Sequence, residues 1–203
     1  MSEPEFYANA TVGFRQWCLR WKAEGNEPPL LEGLVKHGFY QPIRYRWNLE
    51  GSNRAECMRL KFHPASFSEV HGEVPSMGCS CGFYAHGRRD ASNSETTVHV
   101  VGGVVAGWGN LELHERGFRC GEAKILALFA PDPRKKYADY DGVAQKKWAA
   151  LGRVCADNVI PLLPANALRG TEEIRRYAYE RDLALLEEQL NFRRSPLSDF
   201  GTV

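Results

Sequence analysis

Four residues, Cys57, His71, Cys79 and Cys81, carry the side chains of this sequence best suited to chemistry. Three thiols and one imidazole are a common closed ligand set for zinc, which takes thiolate sulfur and imidazole nitrogen in a tetrahedron. A metal held there would pin residues 57–81, an irregular stretch with prolines and little apolar content of its own. The Cys79-x-Cys81 spacing is tighter than that of a standard zinc finger. In an extended chain the two side chains point to opposite faces. Both can ligate only in a turn, which the flanking Gly78 and Gly82 permit. His63, His86, His114 and Cys120 are alternative ligands. The competing reading is ordinary packing, with Cys57 and Cys81 as small buried hydrophobes and His71 closing a turn.

A second constellation is Trp108, His114 and Arg119, with Arg15 and Trp17 nearby. An arginine on a strand beside tryptophan can clamp an anion or stack on the ring. Against this stands a structural Arg119 paired with Glu112 or Glu115, and Trp108 in the core. Gly109-Asn110 reads as a tight hairpin turn that sets Trp108 opposite Leu111. Alternation then sends Leu111 and Leu113 to the core with Trp108 leaning to their face, and His114 to solvent. Nucleophilic catalysis would need a cysteine activated by a neighbouring base. Cys81 with His86, and Cys120 with His114, are neighbours in sequence only. No phosphate loop, dinucleotide fingerprint, HExxH or deaminase Cys-x-x-Cys pair occurs.

These residues must be positioned by strands. Thr11 to Trp21 alternates Val12, Phe14 and Gln16 against Arg15, Trp17 and Leu19. Leu30 to Gly38 fits a short strand or one helical turn, and Pro42 to Leu49 a half-exposed strand. Ala55 to Leu60 begins another extended piece, residues 61–78 are irregular, and Gly87 to Asn93 is a polar, mobile loop. Thr96 to Val105, β-branched and apolar, reads as a buried central strand, with a bulge or close backbone approach at Gly102-Gly103. Glu122 to Phe129 is a strand or short helix. After a composition break at Pro131 to Lys136 the pattern turns helical. Ala144, Trp148, Leu151 and Cys155 share one face, with Asp141 as N-cap, and an amphipathic helix spans Thr171 to Leu190. The fold expected is α+β: an antiparallel β-rich body over residues 1–130, then a helical part over 131–203 packed on it. Residues 1–10 read as a loose arm and 191–203 as a frayed tail.

The chain has 203 residues and a net charge of +1, enough to bury a core but without a strong electrostatic footprint for DNA or anionic membrane. No apolar run is long enough to span a bilayer, and the acidic N-terminus has no signal-peptide pattern. Six cysteines in such a chain read as reduced thiols or metal ligands. The expected location is therefore the cytoplasm.

Motifs recur in a set order: Gly13-Phe14-Arg15-x-Trp17, Ala55-Glu56-Cys57, His71-x-x-x-Pro75, then Cys79-x-Cys81-Gly82-Phe83-Tyr84-Ala85. Val101-x-Gly103-x-Val105-x-x-Trp108-Gly109 and His114-x-x-Gly117-Phe118-Arg119 follow. This order resembles a family of small, mostly hypothetical proteins of actinobacteria and their phages, over roughly residues 11–130. The chain departs from that pattern at Cys120, where alanine is expected, and in a longer segment from Trp21 to Pro42. The resemblance implies no activity. The expectation is a non-enzymatic binding or regulatory protein, phage-encoded, monomeric or homodimeric, with a structural zinc and a protein partner. Its rivals are nucleic-acid binding through Arg44, Arg46, Arg88 and Arg89, and a small enzyme using Cys81 or Cys120.

Overall fold

The computed structural model describes residues 10–20, 29–35, 43–57, 72–76, 79, 81–89, 96–97, 99–134, 142–168, 171–178 and 180. In chain order they form strands β1 (Thr11–Arg20), β2 (Leu30–Val35), β3 (Ile43–Arg46), β4 (Asn53–Arg54), β5 (Phe83–His86), β6 (Val100–His114) and β7 (Gly117–Phe129). Helix α1 (Val143–Asp157), strand β8 (Leu162–Leu163) and helix α2 (Thr171–Ala178) follow. The expected β-rich body followed by helices is present. The arm before residue 10, His63, His71, Asp141 and the tail after residue 180 lie outside the described residues.

The frame is the β6–β7 pair. Val101 to Trp108 is buried on both faces, which suits a β-branched, glycine-containing run. β1 lies antiparallel to β6, from Thr11 opposite Gly107 to Cys18 opposite Val100. The other edge of β7 is shared by three partners: β5 along Gly117–Cys120, β4 at Glu122 and Ala123, and β8, in parallel, at Leu128 and Phe129. β5 in turn meets β1 where Phe14 faces His86. The pairings β1–β6–β7–β5–β1 therefore close a circuit, and β2 with β3 extends it from the end of β1.

The two faces of this circuit hold two cores. Trp17 and Leu19 of β1 join Leu31, Trp47, Phe83, Phe118, Cys120 and Leu128 on the inner face, where α1 adds Leu151 and Cys155. Val12 and Phe14 point the other way, to Val104, Trp108 and Phe129, and α2 covers them with Ile174 and Ala178. The alternation expected for β1 is observed, and burial on both faces is its cause. Each large apolar side chain so buried contributes about 1.5–3 kcal/mol. The helical stripe also holds: Ala144, Leu151 and Cys155 of α1 are buried. Its N-cap is Gly142, in the left-handed conformation.

The hairpin turn lies elsewhere than expected. Trp108 pairs with Glu122 and Leu111 with Cys120, so Gly109 and Asn110 together stand opposite Gly121. They form a β-bulge, and Gly109 takes the positive φ of 75° that such a residue needs. A glycine next to an asparagine suits a bulge as well as a turn, and the reversal is made instead by Glu115 and Arg116. Trp108 consequently sits in the outer core while Leu111 packs against the inner one. Leu113, expected in the core, is 71% exposed because the strand runs past the core toward its turn.

Candidate metal centre

Cys57, Cys79 and Cys81 come together at one edge of the body, although 22 residues separate the first two. Cys57 is carried in just after β4, where the backbone N–H of Ala55 donates to Gly121 O at 2.7 Å. Cys79 is turned inward by its own N–H, which donates to Ser76 O at 3.1 Å. Cys81 precedes Gly82, whose φ of 111° lets the chain swing into β5. The three sulfur atoms all lie within 4.8 Å of one another, and the Cys57 and Cys79 sulfurs are 3.8 Å apart. A tetrahedral zinc with Zn–S bonds of about 2.3 Å places its sulfurs about 3.8 Å apart. The Cys57 and Cys79 sulfurs are thus spaced as two metal ligands are, and packing alone would also bury the three thiols. Among the described residues these three form the only such group of metal-ligating side chains, so His86, His114 and Cys120 do not join it.

Arg119 holds this loop in place. Residues 118 and 120 point into the inner core, so Arg119 projects from the opposite face of β7. Its guanidinium donates to Cys79 O, to Cys81 O at 3.2 Å and to Ser76 O at 3.5 Å. It also pairs with Glu112, its cross-strand neighbour on β6, and lies over the ring of Tyr84, its neighbour on β5. Two carbonyls of the cysteine loop therefore find a charged donor rather than water. Burial without such a donor would cost about 1–3 kcal/mol for each.

The second constellation does not form one surface. Arg119 is buried, 5% exposed, and acts as a support rather than an exposed clamp. His114 shares its partner, with Nε2 3.6 Å from Glu112. Trp108 is on the same strand but packs in the outer core and donates from Nε1 to Glu122 at 3.0 Å. Arg15 faces inward, toward the rings of Trp47 and Phe83. The pairing of Arg119 with Glu112 was readable in the sequence, whereas its reach to the Cys79 and Cys81 carbonyls depends on the β5–β7 register and has no sequence signal.

Burial disfavours the thiolate form of Cys81 and Cys120, the two candidate nucleophiles. Burial first, and then the neighbouring Cys79 and Cys57, push the Cys81 thiol up to about 11. Burial pushes Cys120 up to about 12, against the pull of the Arg15 guanidinium beside it. A cysteine nucleophile needs a depressed value. Of the arginines suited to nucleic acid, Arg46 and Arg88 are exposed and the side chain of Arg44 lies outside the described residues. Arg89 is committed elsewhere. Its guanidinium donates to Ala165 O, Ala167 O and Leu168 O, and lies 4.0 Å from the centre of the Phe129 ring. This fastens the chain just after β5 to the connection that precedes α2.

No protein-family model matches the sequence, and no curated protein or solved structure matches it. No helix among the described residues is long and apolar enough to cross a membrane.

Proposed function

We propose that this chain is a non-enzymatic binding protein whose β body is completed by a structural zinc, with Cys57, Cys79, Cys81 and His71 as ligands. The convergence of three thiols within 4.8 Å, one pair of them 3.8 Å apart, carries the reading. Four protein ligands would close the coordination sphere and leave no position for a substrate, which is the mark of a structural rather than a catalytic zinc. Holding the loop then serves to shape the adjoining face of β5–β7, where Tyr84 and His114 are exposed. The partner proposed for that face is a protein of the host or of a phage, in keeping with the family resemblance.

Elemental analysis of untagged protein tests the metal, with one zinc per chain expected. Cys57→Ser and Cys79→Ser should each abolish binding, whereas loss with only one of them means a different ligand set. Affinity capture from the native host, with and without nuclease, tests the binding role. A single protein partner that survives nuclease supports the proposal, and recovery of nucleic acid alone rejects it.

A further inference from the structure

Two thiols of the cysteine cluster stand close enough to be joined. The Cys57 and Cys79 sulfurs are 3.8 Å apart, and a disulfide bond of about 2.05 Å needs them to approach by about 1.8 Å. A cysteine sulfur swings on a single side-chain torsion, so rotation rather than backbone movement covers most of that gap. The two residues come from separate segments, 22 positions apart in the chain.

Exposure decides which thiol meets a reagent first. Cys57 is half-buried, whereas Cys79 and Cys81 are 6% and 9% exposed. An oxidant in solution therefore reaches the Cys57 sulfur, and a sulfenic acid formed there has the Cys79 thiol beside it. Cys81 is a poorer partner for Cys79. One residue separates them, and the Arg119 guanidinium holds the carbonyl of each. Joining those two sulfurs would strain a backbone already fastened at both residues, and strained disulfides are easily reduced.

We infer that Cys57 and Cys79 form an oxidation site, at which a hydroperoxide converts the two thiols to a disulfide. The Cys57 thiolate attacks the hydroxyl oxygen of the peroxide and the O–O bond breaks. The departing hydroxide or alkoxide takes the proton that Cys57 gave up, and Cys57 is left as a sulfenic acid. The Cys79 sulfur then attacks the Cys57 sulfur, the S–O bond breaks, and the hydroxyl leaves as water with the Cys79 proton. Two thiols and one hydroperoxide thus give one disulfide, one water and a second water or an alcohol. A metal is held by thiolates, so the new bond removes two ligands and releases the ion. Release rests on the zinc reading above; formation of the bond does not.

The test treats untagged full-length protein with hydrogen peroxide, with and without prior chelation. It follows intact mass, disulfide-linked peptides and zinc released to a chromogenic chelator. The expected product has lost two hydrogen atoms, links the peptides that carry Cys57 and Cys79, and returns to the starting mass with a dithiol reductant. Cys57→Ser and Cys79→Ser should each abolish it, whereas Cys81→Ser and Cys18→Ser should leave its yield unchanged. The wild-type peptide map decides the pairing if a variant fails to fold. Zinc should leave in step with the bond. A Cys57–Cys79 bond in protein that holds no zinc upholds the inference and removes the zinc reading. Zinc-loaded protein that gives no linked peptide, before or after chelation, overturns the inference and leaves the zinc reading standing. Linkage through Cys81, or oxidation that stops at a sulfinic acid on Cys57, overturns it as well.

Discussion

Replacing Arg119 by methionine keeps most of the aliphatic volume of the side chain and removes every donor that reaches the cysteine loop. Two carbonyls, Cys79 O and Cys81 O, belong to residues that are 6% and 9% exposed and lose a charged partner. Hydrogen bonds from a charged donor contribute about 1.5–3 kcal/mol each, so the pair sets a loss of about 3–6 kcal/mol. The ion pair with Glu112 adds little, since the Glu112 side chain is 42% exposed and screened by solvent. For a chain of this size the loss corresponds to a fall in melting temperature of roughly 10 °C. Without metal the loop can open and hydrate its carbonyls, so most of the loss should appear as weaker zinc binding, by roughly two to three orders of magnitude. Thermal melts with and without a chelator, together with competition against a chromogenic chelator, measure both quantities. A fall of less than about 2 °C with unchanged zinc affinity would show that the loop is held by something other than Arg119.

Chelation of zinc from wild-type protein should lower the melting temperature, whereas the Cys79→Ser variant should melt at one temperature with or without chelator. Gly103→Ala should destabilise the fold severely, by about 3 kcal/mol or more, because the new Cβ would run into Ala127 O and the Trp17 ring in a core that cannot yield; chemical denaturation measures it. Alkaline pH should destabilise the protein through Cys120 and Cys155, whose thiols are raised from an ordinary 9.0 to about 12 and about 11 by burial. Both are protonated below pH 9 in either state, so their contribution is intact there. It is lost as pH rises from about 9 toward 12, because the unfolded chain can ionise them and the folded one resists. Melting curves between pH 8 and 11 should fall accordingly, and alkylation of these two thiols should be slow until the protein unfolds. Leu151→Ala, in α1, should cost about 2–4 kcal/mol in urea denaturation, since the side chain is 1% exposed within the inner core.

The strands were legible where burial follows a period. Val12 and Phe14 against Trp17 and Leu19 divide between two cores, and the split is visible as alternation in the sequence. The stripe of α1 was legible for the same reason. Gly109-Asn110 was not, because positive φ is needed by bulges and by turns alike. The true reversal at Glu115 and Arg116 carries no turn chemistry that would betray it. β6 also starts later than its apolar pattern does: Thr96 is spent bonding Phe129 O and Gly102 N through its hydroxyl. The cysteine triad was half legible. Its members follow from residue type, and the need for a turn follows from their spacing. That Arg119 braces the loop depends on which residues of β5, β6 and β7 stand side by side, which only the register decides. Arg15 was expected beside His114 and Arg119, whereas it turns inward with Trp17 toward Trp47 and Phe83, as its place in the β1 alternation implies.

The closed circuit of strands has a consequence for how the protein is made. β1 pairs from Thr11 to Cys18 with β6, so that edge has no partner until Val100–Gly107 leaves the ribosome. At about 5–20 residues per second the gap lasts roughly 5–20 s. Through that interval Val12 to Leu19, a largely apolar strand whose β6 edge is open, resembles the segments that pair with other chains. The β6–β7 hairpin, local and joined by two residues, can form as soon as it emerges, and β1 must then be captured from a distance. Synthesis therefore places the greatest hazard on the first strand, and a chaperone that shields it during elongation would raise the yield of folded protein more than one supplied after release.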